Sequence, residues 1–235
     1  MTTTDPEIAR LAGAGSARIE RVEHKGRVLW IKRPEQLSLR MRLQKGDPDA
    51  AFAEECTAHQ ALFERGLPVA PVVAAGPEFL VTEDCGRPLR AIAWQDPPEV
   101  FHPALAAAAT ALASLHAAGV SHGRPSLKDI CWQEGRIAFL DLERAGRDRA
   151  LDRAQAMDVL ILIFSTAVET GGSETAMQVA KDAYLAAGER AVWDHAAKRA
   201  RWWAALRLPL WPVARLLRGN REFDAIGPFF RFFAG

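Results

Sequence analysis

The chain has 235 residues, enough for one large domain or two small lobes sharing a cleft. Hydrophobic residues make up 49%, so a sizeable core is available and global disorder is excluded. Thirty basic side chains face 29 acidic ones, and this near balance argues against a general nucleic-acid binder.

The opening segment, MTTTDPEIAR, carries acids and no apolar core, so it does not read as a secretory signal. The longest strongly apolar run, residues 159–164, is too short to span a bilayer. Cys56, Cys85 and Cys131 are widely spaced and odd in number. They suggest neither a metal pair nor a disulfide framework, and a reduced, cytoplasmic location is expected.

In chain order, Gly13-Ala14-Gly15-Ser16 reads as a flexible loop. Its backbone N–H groups can cover phosphates, and a plain linker reading stands equally beside that one. Residues 18–33 read as a β-hairpin around Lys25-Gly26. Asp47-Pro48 opens a helix, as N-cap and first helical residue, that runs to about Arg65 and stops at Gly66. Residues 69–73 and 78–82 read as extended, and Glu83-Asp84-Cys85-Gly86 as a connector. Strands plus one helix suit a small lobe over residues 1–85.

The remainder reads as mainly helical. Residues 103–118 form an Ala-rich helix with Leu105, Leu112 and Leu115 on one side, closed by Gly119. Short strands 130–132 and 136–140 flank Glu134-Gly135. Residues 152–169 are apolar all round at their centre and predict a buried helix. Further helices are expected over 174–187 and 190–206.

The most specific segment runs from Leu115-His116 through Gly119 to Val120-Ser121-His122-Gly123-Arg124, then to Asp129-Ile130. It precedes Ala138-Phe139-Leu140-Asp141-Leu142-Glu143. A helix ends at glycine, a histidine loop follows, and a hairpin ends in aspartate. This order resembles the catalytic and metal-binding loops of the protein-kinase superfamily, and most closely the lipopolysaccharide kinase group (Kdo kinase/WaaP, InaA-like). The resemblance implies an α+β, bilobal protein-kinase-like fold: a small antiparallel-sheet N-lobe with one helix (1–85) and a mainly helical C-lobe (86–235). It implies an ATP- and Mg²⁺-dependent phosphotransferase acting on a hydroxyl of a lipopolysaccharide core sugar or a related lipid-linked acceptor.

The resemblance also assigns residues. Val28-Leu29-Trp30-Ile31-Lys32 is similar to the strand carrying the phosphate-binding lysine, and Glu55 lies in the helix that supplies its partner. The strand and connector ending in Glu83-Asp84 look like the hinge beside adenine, and the Gly13 and Gly15 loop would lie over the phosphates. Asp129 and Asp141 are the implied Mg²⁺ carboxylates, since Mg²⁺ prefers carboxylate and phosphate oxygens. Asp158 stands where the family braces its catalytic loop, and His122 and His116 are read as structural.

Arg124 departs from the pattern, because the family has an aspartate there to accept the proton of the attacking hydroxyl. Arginine stays protonated and cannot be that base. It can instead neutralise the transferring phosphoryl group, with Asp129 near the nucleophile. A pseudokinase working as a nucleotide-binding interaction module is the rival reading. A small-molecule kinase of the aminoglycoside or choline type ranks third, since the short connector after the hinge leaves little room for its acceptor-binding insertions.

From Lys198 onward eight basic residues face only Glu222 and Asp224, interleaved with Trp and Phe. Such a stretch suits peripheral contact with an anionic membrane through 198–235. The preferred reading packs these aromatics onto the large lobe, because Pro209, Pro212 and Pro228 interrupt a long amphipathic helix.

Overall fold

The computed structural model describes residues 6–34, 48–142, 145, 150–206 and 220–234. Its contacts divide the chain into two compact units: residues up to Cys85 together with 140–142, and the described residues of 86–139 and beyond Arg144. The architecture is α+β, with a small antiparallel sheet and helices in the first unit and a mostly helical second unit.

In the first unit, α1 (Pro6–Ala14) precedes β1 (Ile19–His24) and β2 (Arg27–Lys32). Lys25 and Gly26 both have positive φ, 51° and 74°, the combination a two-residue hairpin with right-handed strand twist requires. Then come α2 (Pro48–Glu64), β3 (Val72–Gly76) and β4 (Phe79–Glu83). The sheet order is β1-β2-β4-β3, antiparallel throughout. Strand alternation splits it into two faces, and a register shift between Val72 and Ala74 moves β3 from one face to the other. Leu29, Ile31, Ala74 and Val81 pack under Ile8 and Ala12 of α1. Val72 and Leu80 pack under Phe52 and Cys56 of α2. Asp47, expected to cap α2, lies outside the described residues.

The glycine loop expected over phosphates is not there. Gly13 and Ala14 end α1, where backbone N–H groups turn back along the helix. Gly15 lies so close to the side chains of Glu20 and Arg33 that a Cβ would clash. Arg33 fastens the segment, donating from Nε to the Ala12 carbonyl (2.9 Å) and from Nη1 to the Ala17 carbonyl (2.7 Å). A Gly15 needed for close packing against a buried arginine, two residues after a glycine that closes a helix, looks the same in sequence as a phosphate loop.

The second unit opens with β5 (Arg87–Pro88) and α3 (Leu89–Gln95), a helix absent from the sequence reading. Leu89 and Ile92 are fully buried, so two core anchors within one turn suffice for it. The Ala-rich helix α4 runs Pro98–Ala117, five residues earlier than expected. Pro98 stands in the first turn, where its missing N–H costs nothing, and Pro103 gives up one helix bond while Phe101, Ala104 and Leu105 are buried. Among the described residues α4 is the one helix long and apolar enough by length and composition to cross a bilayer, and half of that window is buried, as in a core helix. Strands β6 (Ile130–Gln133) and β7 (Arg136–Phe139) complete a small sheet with β5.

Helices α5 (Leu151–Glu169), α6 (Glu174–Ala187) and α7 (Arg190–Leu206) follow as expected. A last helix, α8 (Arg221–Ala234), contains Pro228. The proline was expected to interrupt helical structure here. Its ring packs against Gly172, while Phe229 and Phe233 enter the core against Phe164 and Trp193, so tertiary packing outweighs one lost backbone bond. Pro209 and Pro212 lie outside the described residues.

Candidate active site

Lys32 ends β2, and period-two alternation puts it on the α2 face of the sheet with Trp30, opposite Leu80. Its ammonium is ion-paired and hydrogen-bonded to Glu55 of α2. Glu55 is 7% exposed and Lys32 21%, so neither charge is well solvated alone. Glu55 also helps raise the neighbouring Cys56 thiol, which burial chiefly pushes up to about 11. Farther along α2, His59 has its pKa lowered by burial and bonds the Ala70 carbonyl through Nε2 (2.7 Å).

Glu83 falls on the other face. It is the cross-strand partner of Leu29, and its carboxylate pairs with Arg27. Period-two geometry therefore turns the Glu83 side chain away from Lys32, leaving only backbone at this hinge position. The side chain that does share the Lys32 face is Trp30, 36% exposed, with Nε1–H donating to Asp84 (2.7 Å). The sequence reading missed it, although its spacing of two from Lys32 is the signal that finds it.

Asp141 has φ 58°, in the left-handed region that costs a non-glycine residue energy. Buried Phe139 and Leu142 flank it and pin the backbone there. By contact the segment belongs to the first unit, as do Lys32 and Glu55.

The second unit holds the loop after α4. Asp158 of α5 is fully buried and organises it. Its carboxylate accepts the backbone N–H groups of His122 (2.6 Å) and Gly123 (2.8 Å). It also meets His116 Nε2 at 3.2 Å, while His116 Nδ1 lies 2.7 Å from the Tyr184 hydroxyl. A proton on Nε2 and a donating tyrosine satisfy both contacts, and burial followed by Asp158 pushes the Tyr184 hydroxyl up. His122 packs edge-on against Phe139, with ring centroids 5.1 Å apart. Both histidines therefore support the loop.

Arg124 and Asp129 meet in that loop. Asp129 accepts the Ser126 hydroxyl at 2.7 Å, and Arg124 and Lys128 each come to 3.9 Å of the same carboxylate oxygen. Ser165 of α5 fixes the loop by accepting the Leu127 N–H (2.9 Å). Ser126, Lys128 and Ser165 carried no sequence signal.

The family model for the lipopolysaccharide kinase (Kdo/WaaP) family matches residues 10–184. The chain belongs to this family. The match spans both the Lys32/Glu55 pair and the Arg124/Asp129 loop. A relative from Haemophilus influenzae, described as an uncharacterized protein, is 30% identical over 206 residues, covering 84% of each chain.

Proposed function

We propose that this kinase-family chain is an ATP- and Mg²⁺-dependent phosphotransferase acting on a hydroxyl of a lipopolysaccharide core sugar or a related lipid-linked acceptor at the cytoplasmic side. The observation that carries the reading is the Lys32–Glu55 pair, a partly buried cation held at a strand end by one carboxylate. Such a lysine binds phosphate as a point charge, and its glutamate keeps it aimed. Trp30 on the same face offers an apolar platform to the base.

The donor chemistry suits Mg²⁺ bound together with nucleotide. Among the described residues no group of three or more His, Cys, Asp or Glu could hold a metal by itself. Asp141 and Asp129 are the carboxylates the reading assigns to it, with phosphate oxygens filling other positions. When bound, Mg²⁺ neutralises phosphate charge. Arg124, 43% exposed, serves as a second cation for the transferred group.

The two cations beside Asp129 also favour a second reading, a nucleotide-binding module with little transfer. Calorimetric titration with ATP, with and without Mg²⁺, tests the first step. Binding that needs Mg²⁺ and is lost in Lys32→Ala and Asp141→Ala is expected. A wild-type protein that binds no ATP at any Mg²⁺ concentration overturns both readings; one that binds but transfers to no acceptor leaves the second.

A further inference from the structure

Within the second unit, α5 and α7 flank an open pocket of about 370 Å³, within the usual range for small-ligand sites. Arg153 of α5 and His195, Lys198, Arg199, Trp202 and Trp203 of α7 line it. The five α7 residues follow helical spacing and form one stripe. The neighbouring stripe buries Trp193, Ala196, Ala197 and Ala200, so core packing does not account for the pocket-facing set.

Among the described residues the lining is cationic. No carboxylate is among the lining residues, and Arg153, Lys198 and Arg199 have no carboxylate partner among the described residues. Arg153 stands in the first turn of α5, where the helix dipole disfavours a cation. Arg199 lies 5.0 Å over the Trp203 ring, which orients its guanidinium, and its Nε is buried without an acceptor among the described residues. A buried guanidinium N–H that lacks an acceptor costs free energy until one arrives. Trp202 is 61% exposed at the rim, an apolar surface covered by nothing described.

We propose that this pocket binds a phosphate-bearing organic anion, its oxygens taken by Arg153, Lys198 and Arg199 and its sugar or apolar body lying on Trp202. A tetrahedral anion of charge near −2 matches three convergent cations better than a lone carboxylate does. An anionic phospholipid headgroup and a soluble sugar phosphate share this chemistry. The site stands independently of the nucleotide reading, since Lys32 and Glu55 belong to the other unit.

The test uses the full chain in two arms. One titrates glycerol 3-phosphate by calorimetry; the other measures sedimentation with phosphatidylglycerol-containing vesicles against pure phosphatidylcholine. Binding in one arm identifies the source. In that arm Lys198→Gln and Arg199→Gln should each weaken binding by roughly tenfold, and raising salt from about 0.05 M to about 0.5 M should weaken it further. Arg190→Gln, exposed on the same helix outside the pocket, should change nothing. Lys198 is exposed, so its variant folds even if that of Arg199 does not, and thermal melts check both. No binding in either arm at low salt, or binding that Lys198→Gln leaves untouched, overturns the proposal.

Discussion

The Lys32 corner of the first unit and the Arg124 loop of the second handle charge in different ways. Lys32 and Glu55 neutralise each other directly, side chain to side chain. The loop is instead held through its backbone, by an aspartate that belongs to a helix behind it. Its own charged side chains, Arg124 and Lys128, stand half exposed at 3.9 Å from Asp129. The first arrangement fixes one side chain in place; the second fixes a chain path and leaves its side chains adjustable. An arginine at position 124 is therefore compatible with a loop whose path is set by Asp158.

The comparison breaks most sharply at Asp158. Asp158→Ala removes the acceptor of two backbone N–H groups and of His116 in a fully buried place. The expected loss is about 3–5 kcal/mol, seen as a lower urea midpoint. A loss under about 1 kcal/mol would show that the loop is held by something else.

Glu55→Ala comes next. It strands Lys32, but Lys32 is 21% exposed and can reach water, so about 2 kcal/mol is expected. ATP affinity should fall roughly tenfold with it. The double change Lys32→Met with Glu55→Leu should recover the stability and none of the affinity. Recovery of both would remove the pair from the nucleotide site.

How much of this was legible depends on whether a role follows from local pattern. The Lys32–Glu55 pairing was readable from the resemblance of their strand and helix to the family pattern, and the two hairpin turns because Lys25-Gly26 and Glu134-Gly135 demand positive φ. Asp158 was readable from its place in the family pattern, but its three partners were not, since they come from residues 35 or more positions away. The Gly13-Gly15 segment was not legible because Gly13 lies within α1 and the tertiary contact of Arg33 decides the meaning of Gly15. The direction of the Glu83 side chain was not legible at the hinge, because a one-residue step in a strand changes the face. The pocket on α7 was visible only as a run of basic and aromatic residues, whose facing partner Arg153 lies some forty positions earlier.

A smaller effect sharpens the first unit's side. His59 has a lowered pKa in the folded chain because it is buried. The unfolded chain therefore binds more protons. Its contribution is fully present above the ordinary value of 6.5 and is lost as pH falls from there through the lowered folded value. Melting temperature should drop across that window, and His59→Gln, which keeps a donor for the Ala70 carbonyl, should flatten the slope. An unchanged slope would assign acid sensitivity to other groups.

The smallest stability change belongs to Arg124. Its side chain is 43% exposed and its approach to Asp129 is too long for a hydrogen bond, so Arg124→Ala should shift stability by no more than about 0.5 kcal/mol. Its effect on chemistry separates the two functional readings. If Arg124 neutralises the transferred group, Arg124→Ala lowers phosphoryl transfer at least about tenfold while ATP affinity holds, and Arg124→Lys recovers part of it. If the loop is instead a disabled base site, Arg124→Ala changes no turnover, and Arg124→Asp, which restores a proton acceptor two residues after His122, creates turnover where wild type has none. Both outcomes are read against the same Asp158-held backbone, so neither can be credited to a collapsed loop.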